Sequence, residues 1–253
     1  MLHAADQTIP LEPPPAQLVR PALFLDMDGV LAPLAPTPRE VGPLARRTAM
    51  LSALDSRLGG RVAILSGRTL EEIDRISGGA ARSASGVHGL ERRLHDGQTE
   101  RADVPESLRH VVAAFDAFAG TRPGTLVENK GASVALHYRQ SPESRDDATA
   151  LATRLSEETG LTLQPGHMVL ELKTPGADKG TALAAFMSEP PFIGSVPVML
   201  GDDQTDEFAF EAATALGGFG ILVGPERRTH ARYRLDDVEA VLTWLENVAE
   251  TGT

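Results

Sequence analysis

The stretch Ala22-Leu23-Phe24-Leu25-Asp26-Met27-Asp28-Gly29-Val30 decides the reading of this chain. Four apolar residues in a row read as a short buried strand. Two carboxylates follow, one residue apart, and then a glycine that permits a tight turn. Strand alternation places Asp26 and Asp28 on the same side. At the carboxyl end of a buried strand, that side is the crevice where open α/β sheets bind ligands. Carboxylates this close repel, so either a proton or a cation must sit between them. The pattern suits a magnesium site, an acid–nucleophile pair, or both.

Working outward, Arg61–Leu65, Val196–Leu200 and Gly220–Val223 are further short apolar runs bounded by Gly, Pro or polar residues. Between them, Pro43–Leu58, Leu70–Ile76, Thr181–Met187, Glu207–Ala215 and Asp237–Val248 carry helical patterns. Strands alternating with helices predict an α/β fold with a parallel sheet covered on both faces. The middle of the chain reads differently. Leu108–Phe118 and Asp146–Thr159 are helical, and each precedes a hairpin: Thr125–Asn129 with Ala132–Tyr138 across Lys130-Gly131, and Leu161–Gln164 with Met168–Lys173 across Pro165-Gly166. This order predicts an α+β insertion. The expected division is a flexible leader over 1–20, core over 21–98, an inserted domain over 99–173, and core again over 174–248.

Composition narrows the function. The chain has 253 residues, 42% of them hydrophobic, enough for a sizeable core. A formal charge of −11 argues against nucleic-acid binding and requires any phosphate site to be locally basic. With no cysteine there is no disulfide, thiolate nucleophile or Cys-based zinc site. No apolar run approaches the about 20 residues of a membrane span. A cytoplasmic monomer without nucleic-acid or membrane partners is the expectation.

Three more polar motifs sit at strand-to-helix junctions. Ser66-Gly67-Arg68-Thr69 can hold an anion with a hydroxyl and backbone amides, or simply cap a helix. Asp178-Lys179-Gly180 offers a lysine charge for phosphate, or a cap beside a solvated lysine. Gly201-Asp202-Asp203-Gln204-Thr205-Asp206-Glu207 is either a magnesium corner or an acidic helix start. Together with Asp26 and Asp28, these junctions hold the inventory for phosphoryl transfer. In the insertion, Ser133, Ala135 and His137 share one strand face, opposite the apolar Val134, Leu136 and Tyr138. Glu128, Lys130, Arg139, Glu171 and Lys173 lie nearby in sequence.

These motifs resemble the haloacid dehalogenase superfamily of phosphatases, whose core is a Rossmann-like parallel sheet carrying an inserted α+β cap. Gly86-Val87-His88-Gly89, Glu128-Asn129-Lys130, Ala135-Leu136-His137-Tyr138-Arg139, Glu171-Leu172-Lys173 and the Gly201–Glu207 corner further resemble its trehalose-6-phosphate phosphatase family. The resemblance implies a magnesium-dependent sugar phosphatase completing trehalose biosynthesis. It makes Asp26 the nucleophile and Asp28 the general acid and base. Mg2+ would be held by the Asp26 side chain, the Asp28 backbone carbonyl and Asp202, with Asp203 and Asp206 as supporting acids. Ser66 and Lys179 would bind phosphate. Glu128, Lys130, Arg139 and Glu171 would read the glucose hydroxyls, and Arg68 and His88 would contact substrate at the mouth of the core. The cap would pivot near residues 99 and 173. Val30 replaces a frequent Thr of the family, and Thr69 a frequent Pro. Two alternatives share the motifs: a phosphatase for another sugar phosphate, such as sucrose phosphate or a glycerol glycoside phosphate, and a catalytically silent sugar-phosphate-binding module.

Overall fold

The computed structural model describes residues 11–35, 40–166 and 168–251. It divides into two compact units, Glu100–Ala177 and the remainder up to Thr99 and from Asp178 onward.

One sheet, seven of its eight strands wholly within the first unit, comprises β1 (Pro21–Leu25), β2 (Val62–Leu65), β3 (Ser83–Gly86), β4 (Glu91–Arg93), β5 (Thr99–Arg101), β10 (Val196–Gly201), β11 (Phe219–Val223) and β12 (Tyr233–Leu235). Their order is β12-β11-β10-β1-β2-β3-β4-β5. From β12 to β3 all pairs are parallel. Successive strands leave β1 in opposite directions, through β2 on one side and β10 on the other. The chain therefore switches direction between β1 and β10, where such sheets open a ligand crevice.

Alternation sorts the core. Leu23, Leu25, Ile64, Val198, Leu200 and Ile221 pack with α1 (Ala45–Arg57), α2 (Leu70–Ser77) and α7 (Val238–Thr251). Phe24, Ala63, Leu65, Met199 and Leu222 face α5 (Lys179–Met187) and α6 (Glu207–Ala215). Both faces of the central strands are thus buried, which is why they read as unbroken apolar runs.

Two expectations about the first unit need correcting. Leu11–Arg20 does not run loose: the Pro15 carbonyl accepts from Trp244 Nε1 (3.2 Å), the Glu12 carbonyl accepts from Arg234 N–H (3.0 Å), and Leu18 is buried. Residues 1–10 of the expected leader lie outside the described residues. The alternation argument also stops short of Asp28. Asp26 N–H still pairs with the Leu200 carbonyl (3.0 Å), but Asp28 lies in a turn closed by Gly29 N–H to Ala32 O (2.7 Å). Gly29 holds φ +77°, a conformation that favours glycine.

The second unit is an antiparallel sheet ordered β6-β7-β9-β8, from β6 (Leu126–Asn129), β7 (Ser133–His137), β8 (Thr162–Gly166) and β9 (Val169–Lys173). Val134, Leu136, Leu170 and Leu172 bury one face against α3 (Ser107–Gly120) and α4 (Arg145–Thr159). Pro165-Gly166 is not the turn of the second hairpin. Both residues belong to β8, paired with Leu170 and Val169. An edge strand tolerates the missing N–H of proline.

Candidate active site

Asp26 follows β1 directly and is 4% exposed. Its Oδ1 accepts from Met27 N–H (2.7 Å) and lies 3.0 Å from Lys179 Nζ. Lys179 opens α5 behind a capping box in which Asp178 accepts from Thr181 N–H. The cap reading therefore holds for Asp178, whereas Lys179 is buried rather than solvated. Its second partner is Asp206 Oδ1 at 2.7 Å. Asp206 is fully buried, and its Oδ2 accepts from the N–H groups of Asp202 (2.9 Å) and Asp203 (3.1 Å). One lysine thus ties the end of β1 to the turn after β10.

That turn is held from within. Asp203 Oδ1 accepts from Thr205 N–H, Thr205 Oγ1 and Asp206 N–H. The Asp202 side chain reaches across to the β1 turn: a Cβ added at Gly29 would stand 2.0 Å from Asp202 Oδ2. Only glycine leaves room for that carboxylate.

Charge is badly balanced in this crevice. Burial pushes the Asp26 carboxyl well above its ordinary range, Lys179 opposes it, and Asp206, Asp203 and Asp202 add to it. Asp202 is pushed up to about 7 by burial and by Asp206 and Asp203. Asp203 moves the other way: burial raises it, but Lys179 and the Thr205 hydrogen bonds outweigh that. Burial lowers Lys179, yet Asp206 and Asp26 hold it well above its ordinary value. One oxygen each of Asp26, Asp202 and Asp206 lie within 4.8 Å of one another. Asp206 has both oxygens engaged, so Asp26 and Asp202 are the carboxylates left to face a cation. Hard oxygens with surplus negative charge fit a divalent cation such as magnesium.

Arg68 stands beside the Asp28 turn. Its Nε and Nη2 donate to Asp28 Oδ2 (2.6 Å) and Oδ1 (2.7 Å), a two-point fork. Thr69, not Ser66, caps α2, through a capping box with Glu72. The hydroxyl in place of a proline here has a structural use. Ser66 is buried, and its Oγ accepts from Arg68 N–H (3.2 Å). His88 holds φ +54° in a tight turn after β3 and its ring lies over Gly67, where a Cβ would stand 2.5 Å from Nε2. Its backbone N–H donates to the Ser66 carbonyl (3.0 Å). Val30 is buried in the core.

In the second unit, register places Glu128, Ala135, Glu171 and Gln164 in one row across the sheet. Lys130 Nζ donates to Glu171 Oε2 (3.4 Å) and stands 3.9 Å from Glu128 Oε2. Ser133 Oγ donates to Glu171 Oε1 (2.5 Å), and His137 Nε2 bonds Glu128 Oε2 (2.9 Å). Burial raises the Glu128 carboxyl, but the His137 bond and the Lys130 charge bring it below its ordinary value. The structure therefore gathers Glu128, Lys130 and Glu171 into one polar network. Lys173 donates to the Ala177 carbonyl (2.9 Å), and Arg139 is exposed beyond the end of β7.

Two residues that sequence reasoning passed over support the core crevice. Arg47, buried on α1, donates to the carbonyls of Leu31 (3.1 Å), Gly42 (2.5 Å) and Ile76 (2.8 Å), pinning the chain after the Asp28 turn. Arg227, after β11, donates to the Asp203 carbonyl (2.7 Å). Neither stands in a motif, and a lone arginine gives no signal of the distant carbonyls it serves.

Comparison with known proteins gives the family. The family model for trehalose-phosphatase matches residues 24–239. Trehalose-6-phosphate phosphatase of Escherichia coli (strain K12) is 38% identical over 243 residues, which is 95% of this chain and 91% of that protein. The crystal structure of a trehalose-6-phosphate phosphatase related protein superposes with a TM-score of 0.75 at 27% identity, covering 90% of this chain and 96% of the other. A phosphatase of the haloalkanoate (HAD) enzyme superfamily from Bacteroides thetaiotaomicron shares the fold, with a TM-score of 0.59 at 16% identity over 95% of this chain and 97% of its own. The chain belongs to the trehalose-phosphatase family, phosphoric monoester hydrolases on the HAD fold.

Proposed function

We propose that this protein hydrolyses trehalose 6-phosphate to trehalose and phosphate through an aspartyl-phosphate on Asp26, with Mg2+ as its metal. The observation that carries the reading is the Asp26–Lys179–Asp206 chain beside Asp202, a buried nucleophile with one cation against several carboxylates.

In the first half, an Asp26 oxygen attacks phosphorus while the bond from phosphorus to the sugar oxygen breaks. Asp28 gives its proton to that oxygen. When Asp28 carries the proton, one of its oxygens is a donor and gives up its Arg68 bond. In the second half, water attacks the aspartyl-phosphate, its proton returns to Asp28, and the bond between Asp26 and phosphorus breaks. Ser66, Lys179 and backbone amides hold the phosphoryl oxygens where charge gathers. The Asp26 carboxylate, the Asp28 carbonyl and Asp202 would hold Mg2+, which supplies charge neutralisation for carboxylate and phosphate together.

Glu128, Lys130 and Glu171 read the sugar hydroxyls. A non-ionic disaccharide is recognised by hydroxyl pairing, and this network presents fixed donors and acceptors on one sheet face. Among the described residues no helix is long and apolar enough to cross a membrane.

Acid quench during turnover, followed by peptide mapping, tests the covalent step. Phosphate on the peptide containing Asp26, and its loss in an Asp26→Asn variant, are expected. Turnover by folded Asp26→Asn protein would overturn the mechanism.

A further inference from the structure

Asp202 is held at both of its peptide groups. Its N–H donates to Asp206 Oδ2 at 2.9 Å. Its carbonyl accepts from Arg227 Nη2 at 3.3 Å, and the same nitrogen donates to the Asp203 carbonyl at 2.7 Å. Arg227 comes from another strand junction, the loop after β11, beside β10 in the sheet.

The arginine is itself clamped. Its Nη1 pairs with Glu207 and donates to the Arg228 carbonyl at 3.2 Å. Glu207 also accepts from Thr229 Oγ1 at 2.9 Å and from His230 N–H at 2.8 Å. The last acid of the Gly201–Glu207 motif thus points away from the crevice and fastens the neighbouring loop. Asp206 and Arg227 grip the same two residues, Asp202 and Asp203: one accepts from their amides, the other donates to their carbonyls. A peptide fixed on both sides leaves little but side-chain rotation to the Asp202 carboxylate.

We propose that Arg227 is a positioning residue for the cation site, fixing the backbone of Asp202 so that its carboxylate is preorganised opposite Asp26. This inference rests on the reading of Asp26 and Asp202 as metal ligands. Partners that orient metal ligands typically contribute 10–100-fold in affinity when removed. The Arg227 guanidinium spans three carbonyls and a carboxylate at once, which neither lysine nor glutamine reproduces fully.

The test is Mg2+ binding to the full chain without substrate, by titration calorimetry and by the rise in Tm with MgCl2, for wild type, Arg227→Ala, Arg227→Gln, Glu207→Gln and Asp202→Asn. Arg227→Ala should weaken binding about tenfold. Arg227→Gln and Glu207→Gln should weaken it less, and kcat at saturating Mg2+ should stay within about twofold for all three. Wild-type Mg2+ affinity in Arg227→Ala would overturn the proposal; if that variant does not fold, wild-type affinity in both Arg227→Gln and Glu207→Gln would do so. A loss of kcat that saturating Mg2+ does not restore would also overturn it, as a general structural role. Asp202→Asn separates the two levels: if it binds Mg2+ as wild type does, the metal reading itself fails.

Discussion

Arg68 grips both carboxylate oxygens of Asp28, from a position forty residues later in the chain. The fork fixes the plane and direction of the carboxylate, as bidentate guanidinium pairs do. Arg68→Ala should therefore lower kcat about tenfold or more, with little change in KM and a folded protein by circular dichroism. Arg68→Lys, which offers a point charge without the fork, should recover only part of the loss. Wild-type kcat in Arg68→Ala would show that Asp28 needs no such guide.

Asp202 gives a pH test with a defined sign. Its carboxyl sits at about 7 in the folded protein against 3.8 ordinarily, so the folded state binds the proton more tightly than the unfolded one. In chelator, this group's contribution falls as pH rises from about 4 to about 7. Asp202→Asn should flatten that fall and raise the metal-free Tm near neutrality. Magnesium at one hundred times its Kd should restore about 2.7 kcal/mol to wild type and nothing to Asp202→Asn. Parallel pH profiles for the two proteins in chelator would contradict this.

Asp206 serves structure as much as chemistry. Removing it leaves the buried Lys179 with Asp26 alone and takes the shared acceptor from two backbone amides. Asp206→Ala should cost about 3–5 kcal/mol, the usual penalty for breaking a buried pair from one side. Urea denaturation measures it, and a loss below about 1 kcal/mol would show that Lys179 and the amides find other partners.

Glu171 tests the second unit separately from the first. Glu171→Ala should lower kcat/KM for trehalose 6-phosphate roughly 10–100-fold, matching the ~1.5–3 kcal/mol of hydrogen bonds to a charged group. Turnover of an aryl phosphate should change less than about twofold. Equal losses on both substrates would remove Glu171 from sugar recognition.

The parts of this molecule that sequence made legible are those with local causes. β1, β2, β10 and β11 are apolar runs because both their faces are buried, and α2 and α5 follow their caps. β3 escaped because Ser83-Ala84-Ser85-Gly86 has no apolar run, although all four residues are buried. β4 and β5, Glu91–Arg93 and Thr99–Arg101, are charged and carry no apolar run to mark them as strands. In the crevice, the acids and the lysine stood out, but their pairings did not. Whether Lys179 is solvated or buried depends on Asp26 and Asp206, which only the sheet order brings to it. The same holds for Arg68 on Asp28 and Arg227 on the Asp203 carbonyl.

The most direct test of the central claim is phosphate release from trehalose 6-phosphate, sucrose 6-phosphate, glucose 6-phosphate and an aryl phosphate, each with Mg2+ and with chelator. The account predicts strong preference for trehalose 6-phosphate and its loss in chelator. Preference for another sugar phosphate would discard the sugar-reading assignment of Glu128, Lys130 and Glu171. No turnover of any substrate by folded protein would contradict the catalytic reading of Asp26 and Asp28.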